Sequence, residues 1–174
     1  MPRGSAIILI GFMGTGKSSV GVELGRRGLR PLFDTDKMIA TKLKMPITEI
    51  FAQLGSEAFR DEETEALRAI PPTARLVVTG GGVIVRSENI ALMQQLGTIV
   101  WLQADEETIF RRVSHRDDRP LLKNADPRER IAQLLQAREP LYRACADLQI
   151  DTTARKPAQI AEELLGLFSS PKND

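Results

Sequence analysis

The chain has 174 residues, of which 24 are Lys or Arg and 23 are Asp or Glu, leaving a formal net charge of +1. That length suits one domain with a core large enough to stand without staples, and the even charge balance gives the molecule as a whole no attraction to nucleic acid or an anionic membrane. A single cysteine, Cys145, excludes an intramolecular disulfide, and with the single histidine, His115, it leaves no Cys/His set for a zinc site.

Residues 6–10, "AIILI", read as a buried strand. The run is too short for a signal-peptide core, has one arginine before it, and is followed by glycines and a lysine where a cleavage site would need small residues. No apolar stretch reaches the length of a bilayer span, so a cytoplasmic protein is expected. Further strands are expected at 31–33, 75–79, 98–102 and 148–150. Helical patterns fall between them, at 17–27, 35–44, 56–69, 87–95, 105–114, 127–144 and 157–168. Strands alternating with helices predict an α/β fold with a parallel sheet covered on both faces.

Several boundaries carry a physical signature. Ser56 can cap the helix that holds Arg60, Glu63 and Leu67, and Pro71-Pro72 ends it. Asp126 before Pro127 reads as an N-cap with proline in the first helical position, while Pro140 is expected to kink or break its helix. Cys145 is expected to be a small buried hydrophobe on a helix, His115 a solvated loop residue, and the tail "SSPKND" loose.

The stretch "GFMGTGKS", Gly11 to Ser18, sits between an apolar strand and a helix. Its two glycines with four residues between them, followed by Lys-Ser, form a phosphate-binding loop in the context that pattern requires. Gly14, Thr15, Gly16, Lys17, Ser18 and Ser19 are therefore expected to cradle a nucleoside triphosphate. The helix N-terminus adds partial positive charge, Lys17 reaches the outer phosphates, and Ser18 supplies a hydroxyl to Mg²⁺. A second acid is expected in the magnesium shell. The strand ending near Thr79 runs into glycines and the one ending near Leu102 into Gln103, so Asp34, at the end of "PLFD", is the candidate, acting through water. If extended geometry persisted through "DTD", Asp34 and Asp36 would project to the same face.

Behind this loop come, in order, Asp36, "FR" at Phe59-Arg60, "GGG" at Gly80 to Gly82, "RPLL" at Arg119 to Leu122 and "REPLY" at Arg138 to Tyr142. In this order and at these separations the set resembles the shikimate kinases, from about Ile7 to the helix after Pro157. The resemblance implies one P-loop kinase domain over residues 1–174, with a core of about 5–168, an acceptor-binding region of about 34–63 and a lid of about 114–126. It further implies a five-stranded parallel sheet in the order 2-3-1-4-5. The implied reaction passes the terminal phosphate of ATP to the 3-hydroxyl of shikimate, with ATP and Mg²⁺ required. The implied acceptor site is Asp36, Arg60, Arg138 and the glycine run, chiefly Gly81 and Gly82. Two guanidinium groups suit one carboxylate, Asp36 can accept from ring hydroxyls, and glycines let a ring lie against backbone.

The resemblance also places Arg119 as the lid arginine that stabilises the transferring phosphoryl group, with Arg116 the lesser candidate, and sets Arg112 and Pro157 on either side of adenine. Glu63 is implied to hold Arg60. Lys17, Asp34 and Arg119 make up the expected catalytic set. The family often carries Glu directly after the glycine where this chain has Ser56, which bears only on that position. Taken singly, Arg60 also reads as a helix-surface partner of Glu63, and Arg138 as a solvated charge. Rival readings are another small-metabolite kinase on this fold, such as a gluconate kinase, and a nucleotide-dependent interaction protein. A monomer with a small-molecule substrate is expected, with neither nucleic acid nor membrane as partner.

Overall fold

The computed structural model describes residues 4–114 and 126–169. Five parallel strands, β1 (Ala6–Ile10), β2 (Leu32–Asp34), β3 (Leu76–Val78), β4 (Gly97–Gln103) and β5 (Leu148–Asp151), form one sheet in the order β2-β3-β1-β4-β5. Central β1 aligns Ile8 with Val77 on one side and with Ile99 on the other. Between the strands run α1 (Lys17–Arg26), α2 (Thr35–Leu43), α3 (Ile47–Arg68), α4 (Ser87–Leu96), α5 (Glu106–Val113), α6 (Pro127–Cys145) and α7 (Pro157–Ser169).

The period-2 alternation of a strand divides the core cleanly. Ile8, Ile10, Val77, Ile99 and Trp101 face one side, where Met93 of α4, Ile109 and Val113 of α5, and Ile131 and Tyr142 of α6 pack on them. Ile7, Leu9, Leu76, Val78, Val100 and Ile150 face the other, against Val20 and Leu24 of α1 and Ile160, Ala161 and Leu164 of α7. Both faces are covered, which is why the strands read as continuous apolar runs. Cys145 is buried among these side chains as expected, and burial pushes its thiol up to about 11.

Three sequence expectations need correction. The helix expected from residue 56 is present, but α3 also holds a separate helical stretch before it, from Ile47, the two meeting at a kink at Gly55, whose φ of 82° and ψ of 176° are not helical. The earlier turns build a smaller core in which Ile39, Ile50, Phe59 and Ala66 meet. Pro140 leaves α6 unbroken from Pro127 to Cys145. Pro140 and Gln136, four residues before it, both lie on the exposed side, so the carbonyl that loses its N–H partner meets water. The third concerns "DTD": extended backbone stops at Asp34, and Thr35 already belongs to α2. At the start of α6, Asp126 caps as expected, accepting from the Arg128 N–H at 2.9 Å. The expected lid, apart from Ser114 and Asp126, lies outside the described residues, as do His115 and most of the "SSPKND" tail.

A buried polar link ties the helices flanking β3 to the turn that follows it. Asn89 of α4 donates from Nδ2 to the Val83 carbonyl at 3.0 Å, and its Oδ1 accepts from the Thr64 hydroxyl of α3 at 2.8 Å. Asn89→Ala is expected to cost about 1–3 kcal/mol, the penalty for stranding buried polar partners; the midpoint of urea unfolding measures it.

Candidate active site

In a parallel sheet every strand delivers its following loop to the same edge, and ligands of open α/β sheets bind there. After β1 the chain turns through Gly11 to Gly16. Gly14 has φ of 80° and Gly16, the N-cap of α1, φ of 93°, backbone that a side chain would strain. The Lys17 ammonium lies back across this loop, donating to the Gly11 carbonyl at 2.7 Å and the Phe12 carbonyl at 2.9 Å. The Thr15 hydroxyl donates to Phe12 O at 2.8 Å. Residues 13–19 of the loop and α1 line a cleft of about 360 Å³ with Asp36, Thr79, Gly81, Arg112, Thr152, Arg155 and Pro157.

Asp34 and Asp36 do not share a strand face. Asp34 is the N-cap of α2: Oδ1 accepts from the Lys37 N–H at 3.2 Å and Oδ2 stands 3.7 Å from the Lys37 ammonium. It lines a separate surface depression with Phe33, Met38 and Thr41. Asp36, in the first turn of the helix, is the one that reaches the cleft. An aspartate three residues before an otherwise unsatisfied helical N–H is a capping signal, and it competed successfully with the strand pattern.

The glycine run after β3 passes extremely close to charged groups. A Cβ on Gly80 would lie 2.7 Å from Asp36 Oδ1 and 2.8 Å from Glu63 Oε1, and one on Gly82 would overlap the Arg60 guanidinium. Gly81 packs its backbone on the phosphate loop, where a Cβ would stand 3.3 Å from Met13 N. A methyl group at Gly80 or Gly82 would thus have to displace the end of a buried charged side chain, while at Gly81 the phosphate loop would need to give by only a few tenths of an ångström.

Arg60 is no surface residue: it is 9 % exposed and ion-paired to Glu63, itself 1 % exposed. Burial raises the Glu63 pKa above the usual carboxylate range, with Arg60 opposing that shift. Arg138, 8 % exposed, points from α6 to the Gly81 carbonyl at 3.4 Å and lies 5.9 Å from the Phe12 ring centre. Burial lowers its pKa, and the like charge of Arg60 adds to the shift. Among the described residues Arg138 has no ion pair. Two buried guanidinium groups with Asp36 nearby form a donor and acceptor set of the chemistry that suits a small anion carrying hydroxyls.

On the opposite flank Arg112 of α5 donates to Gly14 O at 3.1 Å, to the Thr152 hydroxyl at 3.2 Å and to Thr152 O at 2.9 Å. Pro157 opens α7 on the same cleft. Of the expected site residues the structure thus gathers Gly14, Thr15, Gly16, Lys17, Ser18, Ser19, Asp36, Gly81, Arg112 and Pro157 around one cleft. Arg60, Gly82 and Arg138 adjoin it through the glycine run. Asp34 stands apart, and Arg119 and Arg116 lie outside the described residues.

Two residues escaped the sequence reading. Thr152, 1 % exposed, holds the phosphate loop to the sheet edge, its hydroxyl 3.0 Å from Thr15 O and 2.9 Å from Gln103 O. Tyr142 donates its hydroxyl to the Gly81 carbonyl. The position of Thr152 just beyond β5, at the edge where the other loops converge, was the available signal.

A phosphate-loop sequence on a 2-3-1-4-5 sheet, with two buried arginines and Asp36 beside it, has the make-up of a P-loop kinase. The family model described as shikimate kinase matches residues 13–168. The shikimate kinase of Thermodesulfovibrio yellowstonii is 44% identical over 168 residues, 96% of this chain and 96% of that protein. A solved shikimate kinase from Acinetobacter baumannii, in complex with shikimate, superposes with a TM-score of 0.91 at 34% identity, covering 98% of this chain and 96% of that one. A gluconokinase from Sinorhizobium meliloti reaches a TM-score of 0.54 at 20% identity, covering 97% of this chain and 94% of that one, a likeness of fold alone. The chain belongs to the shikimate kinase family, ATP-dependent phosphotransferases with an alcohol group as acceptor.

The space around the glycine run makes one test direct. Gly82→Ala is expected to push the Arg60 guanidinium off Glu63 and lower the unfolding free energy by about 1–3 kcal/mol, read from chemical denaturation.

Proposed function

We propose that this chain transfers the γ-phosphoryl group of ATP to the 3-hydroxyl of shikimate, giving shikimate 3-phosphate and ADP on the route to chorismate and the aromatic amino acids. The observation that carries this reading is the pair of buried arginines, Arg60 and Arg138, beside Asp36 and next to the phosphate loop. Shikimate offers one carboxylate and three ring hydroxyls. Arg60 and Arg138 take the carboxylate, Asp36 accepts from ring hydroxyls, and Gly81 and Gly82 let the ring approach the backbone. Glu63 holds Arg60 in place.

On the nucleotide side, the amides of residues 14–19 and the ammonium of Lys17 receive the phosphates. Arg112, whose edge donors are already bonded to Gly14 and Thr152, offers its flat face to adenine, with Pro157 opposite. Positioning and charge stabilisation dominate phosphoryl transfer, so Asp36 acts first by orienting the acceptor hydroxyl and second as a base. Arg119, outside the described residues, completes the proposed catalytic set with Lys17; Asp34, which caps α2 and lines a separate depression, would join that set only through water.

The donor set fits magnesium. Ser18 is an exposed hydroxyl beside Lys17 on the cleft, a hard oxygen ligand, and Asp34 would contribute through water. Among the described residues no cluster of three or more His, Cys, Asp or Glu could hold an ion alone. That suits an ion carried mainly by nucleotide phosphates. When bound, Mg²⁺ neutralises charge on the phosphoryl oxygens.

No helix among the described residues is long and apolar enough to cross a membrane. We further propose a monomeric cytoplasmic enzyme acting on a small molecule, with neither nucleic acid nor membrane as partner; the even charge balance supports the lack of a nucleic-acid partner.

The test is ADP production from Mg-ATP with shikimate, gluconate or quinate. Dependence on shikimate alone is the expected result; preference for gluconate would move the chain to a different acceptor, and turnover indifferent to all three would favour a nucleotide-dependent interaction protein. Lys17→Met is expected to abolish transfer while shikimate binding persists, measured by calorimetry. Arg60→Ala is expected to lose about 1.5–3 kcal/mol of acceptor binding, roughly a ten- to hundred-fold rise in KM for shikimate.

A further inference from the structure

Tyr142 is the single tyrosine of the chain and is 1 % exposed. Packing alone would be served by phenylalanine, and a buried hydroxyl is costly unless it has a partner. Its partner is the Gly81 carbonyl, the same atom that accepts from Arg138 Nη1 at 3.4 Å. Tyr142 lies four residues after Arg138, one helical turn on and on the same face of α6. The hydroxyl also neighbours the Arg138 guanidinium directly. Its ring stacks on Trp101 of β4, with centroids 5.8 Å apart and planes 15° apart, so the ring is referenced to the rigid sheet.

We propose that Tyr142 is a positioning residue for the acceptor, its hydroxyl fixing the Gly81 carbonyl and the Arg138 guanidinium in the relation that receives the substrate carboxylate. The inference rests on the acceptor reading given above. A carbonyl has two lone pairs, and here each has its own donor, one rigid and one long and flexible. With the tyrosine in place, the glycine loop cannot turn away without losing a buried hydrogen bond, and Arg138 has a fixed oxygen to rest against. Without it, the loop and the arginine share only one long contact. Burial holds the Tyr142 pKa well above its ordinary value, the charge of Arg138 opposing, so the hydroxyl keeps its proton and remains a donor. The same loop packs on Met13, but the phosphate loop has its own ties through Thr15, Lys17 and Thr152. The effect should therefore be felt by acceptor far more than by nucleotide.

The test is steady-state kinetics of Tyr142→Phe against the native chain, with thermal unfolding alongside. The expected result is a roughly ten-fold rise in KM for shikimate, the size of one lost hydrogen bond. The change in kcat should be smaller, and KM for Mg-ATP should stay within about two-fold. An unchanged KM for shikimate, or equal losses for both substrates, would overturn the proposal while leaving native shikimate-dependent turnover, and so the acceptor reading, intact. Native turnover that ignores shikimate would instead sink the acceptor reading and this inference with it. If the variant does not fold, the native protein carries its own reporter: labelled with [13Cζ]tyrosine it gives one resonance, which is expected to shift when shikimate is added without nucleotide. A resonance indifferent to saturating shikimate would rule out the positioning role.

Discussion

The glycine run after β3 is the constraint around which the site is built. Its backbone passes between the phosphate loop on one side and Asp36, Glu63 and Arg60 on the other, so close that a methyl group at Gly80 or Gly82 would displace one of those side chains. This near-contact is what brings a nucleotide cradle and an anion pocket to one edge of the sheet. Side chains at those positions would separate the two halves, and neither half alone performs a transfer between them.

Around that run the charged groups are arranged in balance. Glu63 offsets Arg60, while among the described residues Arg138 meets a carbonyl and an aromatic ring. Burying a guanidinium without a carboxylate costs free energy, and functional sites are where such costs are tolerated. A ligand carboxylate would relieve it.

Most of the architecture was legible because strand and helix periods are strong signals. The five apolar runs became the five strands with boundaries shifted by a residue or two, and Asp126-Pro127 opened α6 as its chemistry dictates. The site was legible to the extent that each residue type had one dominant use: a Gly-rich loop before Lys-Ser, or two arginines for a carboxylate. The misreadings arose where one residue served two patterns. Asp34 looked like the end of a strand and was also a helix cap. Pro140 was judged by its ring alone, although exposure of Gln136 lets water take the freed carbonyl. Thr152 and Tyr142 went unassigned because a buried hydroxyl has no periodicity; only its partner, distant in sequence, gives it meaning.

Lys17 has a further consequence. Its ammonium rests on two carbonyls of its own loop, contacts that favour the loop's curvature. On the proposed reading, arrival of a nucleotide would be a swap of acceptors, carbonyl oxygens given up for phosphate oxygens. A loop that had to be ordered at that moment would lose about 1–2 kcal/mol of conformational entropy per residue fixed. Here the lysine acts as an internal placeholder, and the free energy of phosphate binding is left for holding the phosphates.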